Sequence, residues 1–144
     1  MVFTWDPQKF KINVNNNPIV GIAQGTFIKA SRNEDLFTFR SGADGFGTRS
    51  KNANRSGRFE ITLEAGSPSN DVLAAQAALD ELTGAGVGPT LVKDLNGTSV
   101  CSGQSSWVVK PADLERAKES GEVTWIIETD ILNIFTGGLF VTPG

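Results

Sequence analysis

The chain of 144 residues has a formal net charge of −3, and its composition is 39% hydrophobic and 20% charged. A chain of this length buries roughly 68–70% of its unfolded surface, which is enough for one domain with a hydrophobic core. The small net charge excludes strong electrostatic steering of a partner. Sixteen glycines exceed the usual share of about 7% and favour a turn-rich β architecture.

Residue types that are missing exclude most catalytic chemistry. The chain has no histidine, so Ser-His-Asp and Cys-His arrangements and most zinc sites are ruled out. The one cysteine, Cys101, cannot form an internal disulfide, and no histidine base is available to activate it. We therefore expect Cys101 to be a packing residue, and we expect no enzyme activity, catalytic residue, metal or cofactor.

The sequence also predicts a soluble protein made in the cytoplasm. Its first ten residues, MVFTWDPQKF, lack the apolar stretch of a secretory signal. The most apolar run, VTWIIETDILNIF, is interrupted by Glu128, Thr129 and Asp130 and is too short to span a bilayer. We expect no membrane partner.

In chain order, Pro7 argues against a helix at the start, so residues 1–9 are predicted to form an extended arm. Alternating apolar residues and turn signals then predict strands at 10–14, 19–23, 26–31 and 34–39, with a turn at 15–18.

A long polar loop is predicted from residue 41 to residue 58. It contains four glycines and four basic residues against one acid, Asp44, which gives a net charge of +3. The strand that follows at 58–65 has apolar and polar residues on alternate faces. The two faces are Phe59, Ile61, Leu63 and Ala65, and Glu60, Thr62 and Glu64.

A single helix is predicted at about residues 69–83. Ser67 or Ser69 can cap its N-terminus, alanines and leucines favour helix, and Gly84 supplies a left-handed stop. We expect one side to lie against a sheet and the other to face water or a neighbouring subunit. The predicted buried stripe comprises Val72, Ala75, Leu79 and Leu82.

The rest of the chain again predicts strands. Residues 90–95 and 98–102 flank Asn96-Gly97, a signal for a type I′ hairpin turn. Further strands are expected at 106–110 and 123–135, separated by the polar residues 111–122, before a tail at 137–144. This order predicts one domain spanning residues 1–144, a small β-barrel or sandwich of two antiparallel sheets with one flanking helix.

Two short motifs do not support a ligand site. GADGFG (42–47) reverses the order of the dinucleotide fingerprint, and no helix follows it to hold a phosphate. DLNG (94–97) lacks the later acidic ligands of a calcium loop, so a hairpin turn explains it better.

The basic loop leaves three explanations open. Its cations can contact nucleic-acid phosphates, although Phe46 is the one aromatic residue within it for base stacking. Residues 59–144 carry 4 basic and 12 acidic residues, a net charge of −8, so the loop of one copy can instead dock on the acidic surface of another. An ordinary solvated loop is the third explanation.

Three runs of sequence together resemble the tail tube proteins of contractile-tailed bacteriophages. They are GTFIKASRNEDLFTFRSGADGFGTRS (25–50), NRSGRFEITLEAGSPSNDVLAAQ (54–76) and VKDLNGT (92–98). In that family, similar motifs occur in the same order, and the family is related to the tube proteins of type VI secretion and R-type bacteriocins. The resemblance covers nearly the whole chain.

The resemblance implies a structural virion protein of a myovirus. Its copies would form hexameric rings that stack into the hollow inner tube of the tail, inside the sheath. The implied partners are further copies of the chain and the sheath, baseplate and tape-measure proteins. DNA would pass through the lumen during ejection without specific binding. The N-terminal arm (1–9) and the C-terminal tail would add contacts between subunits.

The resemblance also implies that the loop at 41–58 reaches the adjacent ring. The expected stacking residues are Gly42, Asp44, Gly45, Phe46, Arg49, Lys51, Arg55 and Arg58. The acidic strand face of Glu60, Thr62 and Glu64 is a candidate lumen lining, because a wall that repels phosphate lets DNA slide.

Three alternatives remain open at this point. A secretion-system or bacteriocin tube protein would share the fold. Another ring-forming virion component, such as a tail-completion or head-decoration protein, would not polymerise. A small nucleic-acid-binding module would stay monomeric and bind in a salt-dependent way.

Overall fold

The computed structural model describes residues 1–143. Within them the chain forms ten strands, one α-helix and a short 3₁₀ helix at Pro7–Lys9. The helix α1 (Ser69–Thr83) lies between β6 and β7 in the chain. The strands are β1 (Phe10–Val14), β2 (Asn17–Pro18), β3 (Ile28–Arg32), β4 (Phe37–Ser41), β5 (Gly47–Lys51), β6 (Gly57–Glu64), β7 (Gly88–Asp94), β8 (Val100–Val108), β9 (Glu122–Thr129) and β10 (Asn133–Phe135).

Eight of these strands form one antiparallel sheet. Its order is β2-β1-β7-β8-β9-β6-β3, and β10 pairs with the first part of β8 while β9 pairs with the last part. The strands β4 and β5 form a separate two-stranded sheet. The expected mainly β fold, with two antiparallel sheets and one flanking helix, is confirmed and is consistent with a β-sandwich.

The core is built around β6. Its alternation places Phe59, Ile61 and Leu63 on one face, and each of these side chains is 0% exposed. β9 pairs with β6 along its whole length, from Gly57 opposite Thr129 to Glu64 opposite Glu122. The predicted period of two is therefore confirmed, and burying each large side chain contributes roughly 1.5–3 kcal/mol.

Other strands and α1 complete the core on the same face of the sheet. Trp125 is buried there, and its indole N–H donates to Asn70 Oδ1 at 2.9 Å, so the polar end of the ring is satisfied. The remaining buried members are Ile12, Val14, Ile19, Leu73, Ala77, Val92, Val108, Ile127 and Leu132.

The helix occupies the predicted residues but buries a different face. Leu73 and Ala77 are buried, whereas Leu79 and Leu82 are 48% and 84% exposed. The predicted stripe of Val72, Ala75, Leu79 and Leu82 is therefore wrong. The hydroxyl of Ser69 accepts from the Val20 N–H at 2.9 Å, which turns the face containing Ser69, Leu73 and Ala77 towards the sheet.

The ends of the helix follow the prediction in part. Gly84 ends it in the left-handed conformation with φ 73°, as expected. The N-cap position is Pro68, which makes no side-chain cap, so neither Ser67 nor Ser69 is the N-cap residue. The Ser67 hydroxyl nevertheless accepts from the Ser69 N–H at 3.2 Å.

The left-handed turn lies at a different place from the predicted one. Neither Asn96 nor Gly97 has a positive φ, so the expected type I′ turn between β7 and β8 is wrong. Asn15 and Asn16 have φ values of 51° and 65° and join β1 to β2 as a two-residue turn. At Gly97 the backbone instead passes close to the backbone of Gly138. A Cβ at Gly97 would clash with the Gly138 carbonyl oxygen, so the position requires glycine.

The remaining strand predictions differ at their boundaries. Residues 19–23, predicted as a strand, form only an isolated bridge between Ile22 and Leu63. The predicted strands at 98–102 and 106–110 belong to the single strand β8, and the one at 123–135 divides into β9 and β10.

The large sheet bends so that its two edges approach each other. Phe10 in β1 and Phe27, directly before β3, make an edge-to-face contact with ring centroids 5.4 Å apart. The bend accounts for a groove between the N-terminal residues, β1 and residues 18–24.

We predict that Gly57→Ala destabilises the fold. A Cβ at this position would lie 2.5 Å from Leu132 Cδ2 and 2.8 Å from the Ser31 carbonyl oxygen. Leu132 is buried and the oxygen belongs to the backbone, so the free energy of unfolding should fall by about 1–3 kcal/mol. Gly25→Ala is the control, because no atom beyond its neighbours in the chain lies within 4 Å of its Cβ position. Equal urea midpoints for the two variants would contradict this packing.

Candidate functional site

The β4–β5 hairpin is the most exposed structured part of the chain. Phe37 pairs with Lys51 and Ser41 with Gly47, and every residue of both strands is exposed. The prediction of a loop over residues 41–58 is wrong in part, because eight of these eighteen residues lie in strands: Ser41, Gly47–Lys51, Gly57 and Arg58. A two-stranded hairpin is marginally stable alone in water, which favours a partner surface for it.

The hairpin ends in a compact turn. The Gly42 N–H donates to the Phe46 carbonyl at 2.8 Å, and the Asp44 carboxylate accepts from the Phe46 N–H at 3.3 Å. Gly45 has φ 89°, a conformation that favours glycine. The turn leaves the Phe46 side chain 79% exposed at the tip.

One face of the hairpin combines aromatic and cationic groups. Phe37 and Phe39 pair with Lys51 and Arg49, and the Arg49 guanidinium lies 4.0 Å from the centroid of the Phe37 ring. The Phe39 ring packs over Gly47, where a Cβ would lie 2.6 Å from it. This face was not predicted from the sequence, because a loop at 41–58 leaves Phe37 and Phe39 without cross-strand partners.

A polar network holds the base of the hairpin. The Glu34 carboxylate accepts from the side-chain amides of Asn52 and Asn54 at 3.0 and 2.8 Å. Asn33 bonds to both backbone and side chain of Ser56 at 3.0 Å. The Asn52 amide, with that of Asn54, holds the pKa of Glu34 below its ordinary value.

The predicted stacking residues do not all lie together. The turn holds Gly42, Asp44, Gly45 and Phe46, and Arg49 and Lys51 lie in β5. Arg55 lies between the hairpin and β6, where its guanidinium donates to Asn133 Oδ1 at 2.9 Å. Arg58 belongs to β6 and pairs in register with Glu128. Arg55 and Arg58 therefore lie at the large sheet and not on the β4–β5 hairpin.

The predicted lumen residues lie on the face of β6 opposite the core. Glu60, Thr62 and Glu64 are partly exposed, and the Thr62 and Thr124 hydroxyls are 3.1 Å apart. Glu64 lies opposite Glu122, and like charges in directly opposed positions are destabilising.

The two ends of the chain come together at the β7–β8 turn. Phe3 bridges to Val141, and Gly97 bridges to Leu139. Asn96 joins them: its side chain exchanges hydrogen bonds of 3.1 and 2.9 Å with the Asp6 backbone, and its carbonyl accepts from the Phe140 N–H at 2.8 Å. Gly144 lies outside the described residues.

This terminal cluster exposes an unusual amount of apolar surface. Its exposed large apolar residues are Met1, Val2, Phe3, Trp5, Leu95, Phe135, Phe140 and Val141. Exposed apolar residues gathered in this way are typical of protein–protein contact surfaces.

Groups that could carry chemistry are few in the described structure. Residues 1–143 contain no cluster of three or more histidine, cysteine, aspartate or glutamate side chains able to hold a metal ion. Burial raises the pKa of the Cys101 thiol, while a backbone hydrogen bond from Phe135 opposes the shift. Over the same residues, no helix combines the length and apolar character needed to cross a bilayer.

An exposed hairpin and an apolar cluster at the chain ends on a mainly β fold are typical of proteins that act through contacts with other protein surfaces. Comparison with known proteins agrees with this class. Residues 19–137 match the family described as the bacteriophage PhiTE tail tube protein. The chain therefore belongs to the PhiTE tail tube family and is a structural protein of a phage tail.

Two individual proteins are similar to this chain over most of their length. Structural protein ORF10 of Pseudomonas phage KPP10 is 25% identical over 143 residues, a match that covers 94% of this chain and 83% of that protein. The anti-feeding prophage cap, a tube-terminating cap known from cryo-electron microscopy, superposes with a TM-score of 0.58 at 8% identity. That match covers 94% of this chain and 93% of the cap, and it shows a shared fold.

We predict that the hairpin loosens in acid through Glu34. The pKa of Glu34 is lower in the folded chain than its ordinary value of about 4.3. The ionised carboxylate therefore stabilises the folded hairpin fully at pH values above that ordinary pKa. This stabilisation is lost as the pH falls through the lower pKa of the folded state. Backbone ¹⁵N relaxation should show increasing mobility of residues 37–51 below about pH 4. Glu34→Gln keeps an acceptor oxygen but does not titrate, so it should lack this pH step. A variant that follows the wild-type curve would contradict the role of Glu34.

We predict that Asn96→Ala releases the N-terminal residues. The change removes both hydrogen bonds to the Asp6 backbone, and stability should fall by about 1–3 kcal/mol. Asn17→Ala is the control, because its side chain makes one local bond of 3.3 Å to the Asn15 carbonyl. ¹⁵N order parameters of residues 1–6 and 139–143 measure the effect. Order parameters in Asn96→Ala equal to those of the wild type would contradict the role of Asn96 in holding the chain ends.

Proposed function

We propose that copies of this chain form hexameric rings that stack into the hollow inner tube of a contractile phage tail. In this role the chain is not an enzyme and needs no cofactor. The observation that carries the proposal is the β4–β5 hairpin, whose ten strand residues are all exposed although one face is aromatic and cationic. Such a face is stabilised by contact with a second surface.

Two further features support assembly. The strand β3 lies at an edge of the large sheet and has one unpaired side, which can pair with a neighbour. The terminal cluster adds exposed apolar area at another point of the surface. The cap of the anti-feeding prophage, described as terminating a tube, has the same fold.

The finer assignments extend this proposal. The hairpin residues Gly42, Asp44, Gly45, Phe46, Arg49 and Lys51 make the contact between rings, with Arg55 and Arg58 near its base. Glu60, Thr62 and Glu64 line the lumen, where carboxylates repel DNA and let it pass during ejection. The sheath, baseplate and tape-measure proteins are the proposed partners of the tube within the virion.

We predict that the wild-type protein forms rings or hollow tubes that negative-stain electron microscopy detects as concentration rises. A variant with residues 37–51 replaced by a short Gly-Ser linker should fold but not stack, because the Asn52 backbone N–H already donates to the Leu36 carbonyl at 2.8 Å and the linker has little to span. Near-wild-type thermal unfolding of the variant is the control for folding.

One outcome would contradict the role of the hairpin, and another would contradict the proposed function. Normal tubes from the linker variant would exclude the hairpin as the stacking element. A wild-type protein that stays monomeric at every concentration and binds DNA with a steep salt dependence would instead indicate a nucleic-acid-binding module.

A further inference from the structure

We infer that the hairpin of one copy inserts into a specific cleft of a second copy, between the start of α1 and residues 111–116. This inference rests on the proposed function and identifies the receiving surface. The cleft has a volume of about 460 Å³ and lies beyond the end of β6. Its walls include Ala74, Pro111, Leu114, Val123 and Trp125.

The hairpin and the cleft lie at opposite ends of the same strands. The hairpin joins the end of β3 to the start of β6, where Arg32 pairs with Gly57. The other end of β6 is Glu64, and Ala65 and Gly66 directly after it line the cleft. Eight residues at about 3.4 Å per residue separate the two features by roughly 25 Å. A head-to-tail contact between identical copies requires this placement.

The cleft carries charges opposite to those of the hairpin. Asp71 and Asp113 line it, together with one cation, Arg116. Residues 37–51 carry three basic groups against one acid. Cations from the hairpin can pair with the Asp71 and Asp113 carboxylates of the cleft.

The apolar parts also match. Phe46 projects from the hairpin tip, and Leu114, 80% exposed, stands at the mouth of the cleft. The floor is ordered, because the Asn70 side chain accepts from the Trp125 indole and donates to the Glu64 carbonyl at 3.0 Å. An aromatic anchor in an apolar cleft with charges around it is a common form of interaction hot spot.

A second groove offers a direct comparison. The groove beside β1 is larger, about 880 Å³, and its walls include Trp5, Phe10 and Phe27. Its one charged lining residue is Lys11, which has the same sign as the hairpin. Charge therefore favours the smaller cleft as the receiver.

Disulfide trapping in assembled protein tests the inference. The background is Cys101→Ser, which removes the native thiol. Ala43→Cys at the exposed hairpin tip is combined with Ala74→Cys on the cleft wall, and in a control protein with Val20→Cys on the wall of the other groove. These positions leave the charges and Phe46 intact. We expect the 43–74 pair to give covalent multimers at least tenfold more abundant than the 43–20 pair after mild oxidation.

The outcomes separate this inference from the proposed function. Tubes that cross-link through 43–20, or through neither pair, would overturn the cleft assignment and leave the tube function standing. Protein that forms no rings or tubes in the Cys101→Ser background and in the wild type would overturn both. A charge exchange gives independent support if Arg49→Glu with Lys51→Glu abolishes stacking and Asp71→Lys with Asp113→Lys restores it.

Discussion

The strict alternation of side chains along β6 is the constraint on which the rest of the structure depends. Successive residues of a strand point to opposite faces, so Phe59, Ile61 and Leu63 must share one side and the charged residues must share the other. The full-length pairing with β9 transmits this division across the sheet. A slip of one residue would place three apolar side chains in water and glutamates in the core, so the register is strongly specified.

The large sheet with α1 and the β4–β5 hairpin are stabilised by different kinds of interaction. The large sheet and α1 depend on buried apolar area, and the Phe59, Ile61 and Leu63 side chains have no contact with solvent. The hairpin depends on amide–carboxylate hydrogen bonds at its base and one cation–π contact above them. Exposed interactions of this kind contribute little net stability, so the hairpin belongs to the part of the molecule that opens most readily. Easy local opening would help the hairpin adapt to the surface of a second copy.

The sequence predicted features that depend on local pattern and missed those that depend on tertiary contact. The alternation at 58–65 and the composition at 69–83 identified β6 and α1 correctly. The predicted buried face of the helix was wrong because Ser69, bonded to the Val20 N–H, and Leu73 lie on the buried side, whereas Leu79 and Leu82 lie on the exposed side. Asn96-Gly97 is a typical hairpin signal, yet the terminal segments pack against it and take over its hydrogen-bonding groups. The aromatic face of the hairpin needed the pairing of β4 with β5, which no local pattern reveals.

The position of the hairpin and of the cleft at opposite ends of one strand pair has a consequence for size. In the proposed assembly every added layer buries one set of hairpins and presents another, so each step has the same free energy as the last. Head-to-tail stacking of identical layers therefore has no intrinsic end point. The subunit alone therefore does not determine the length of the tube. In the proposed assembly, another protein must set that length or end the growth of the tube.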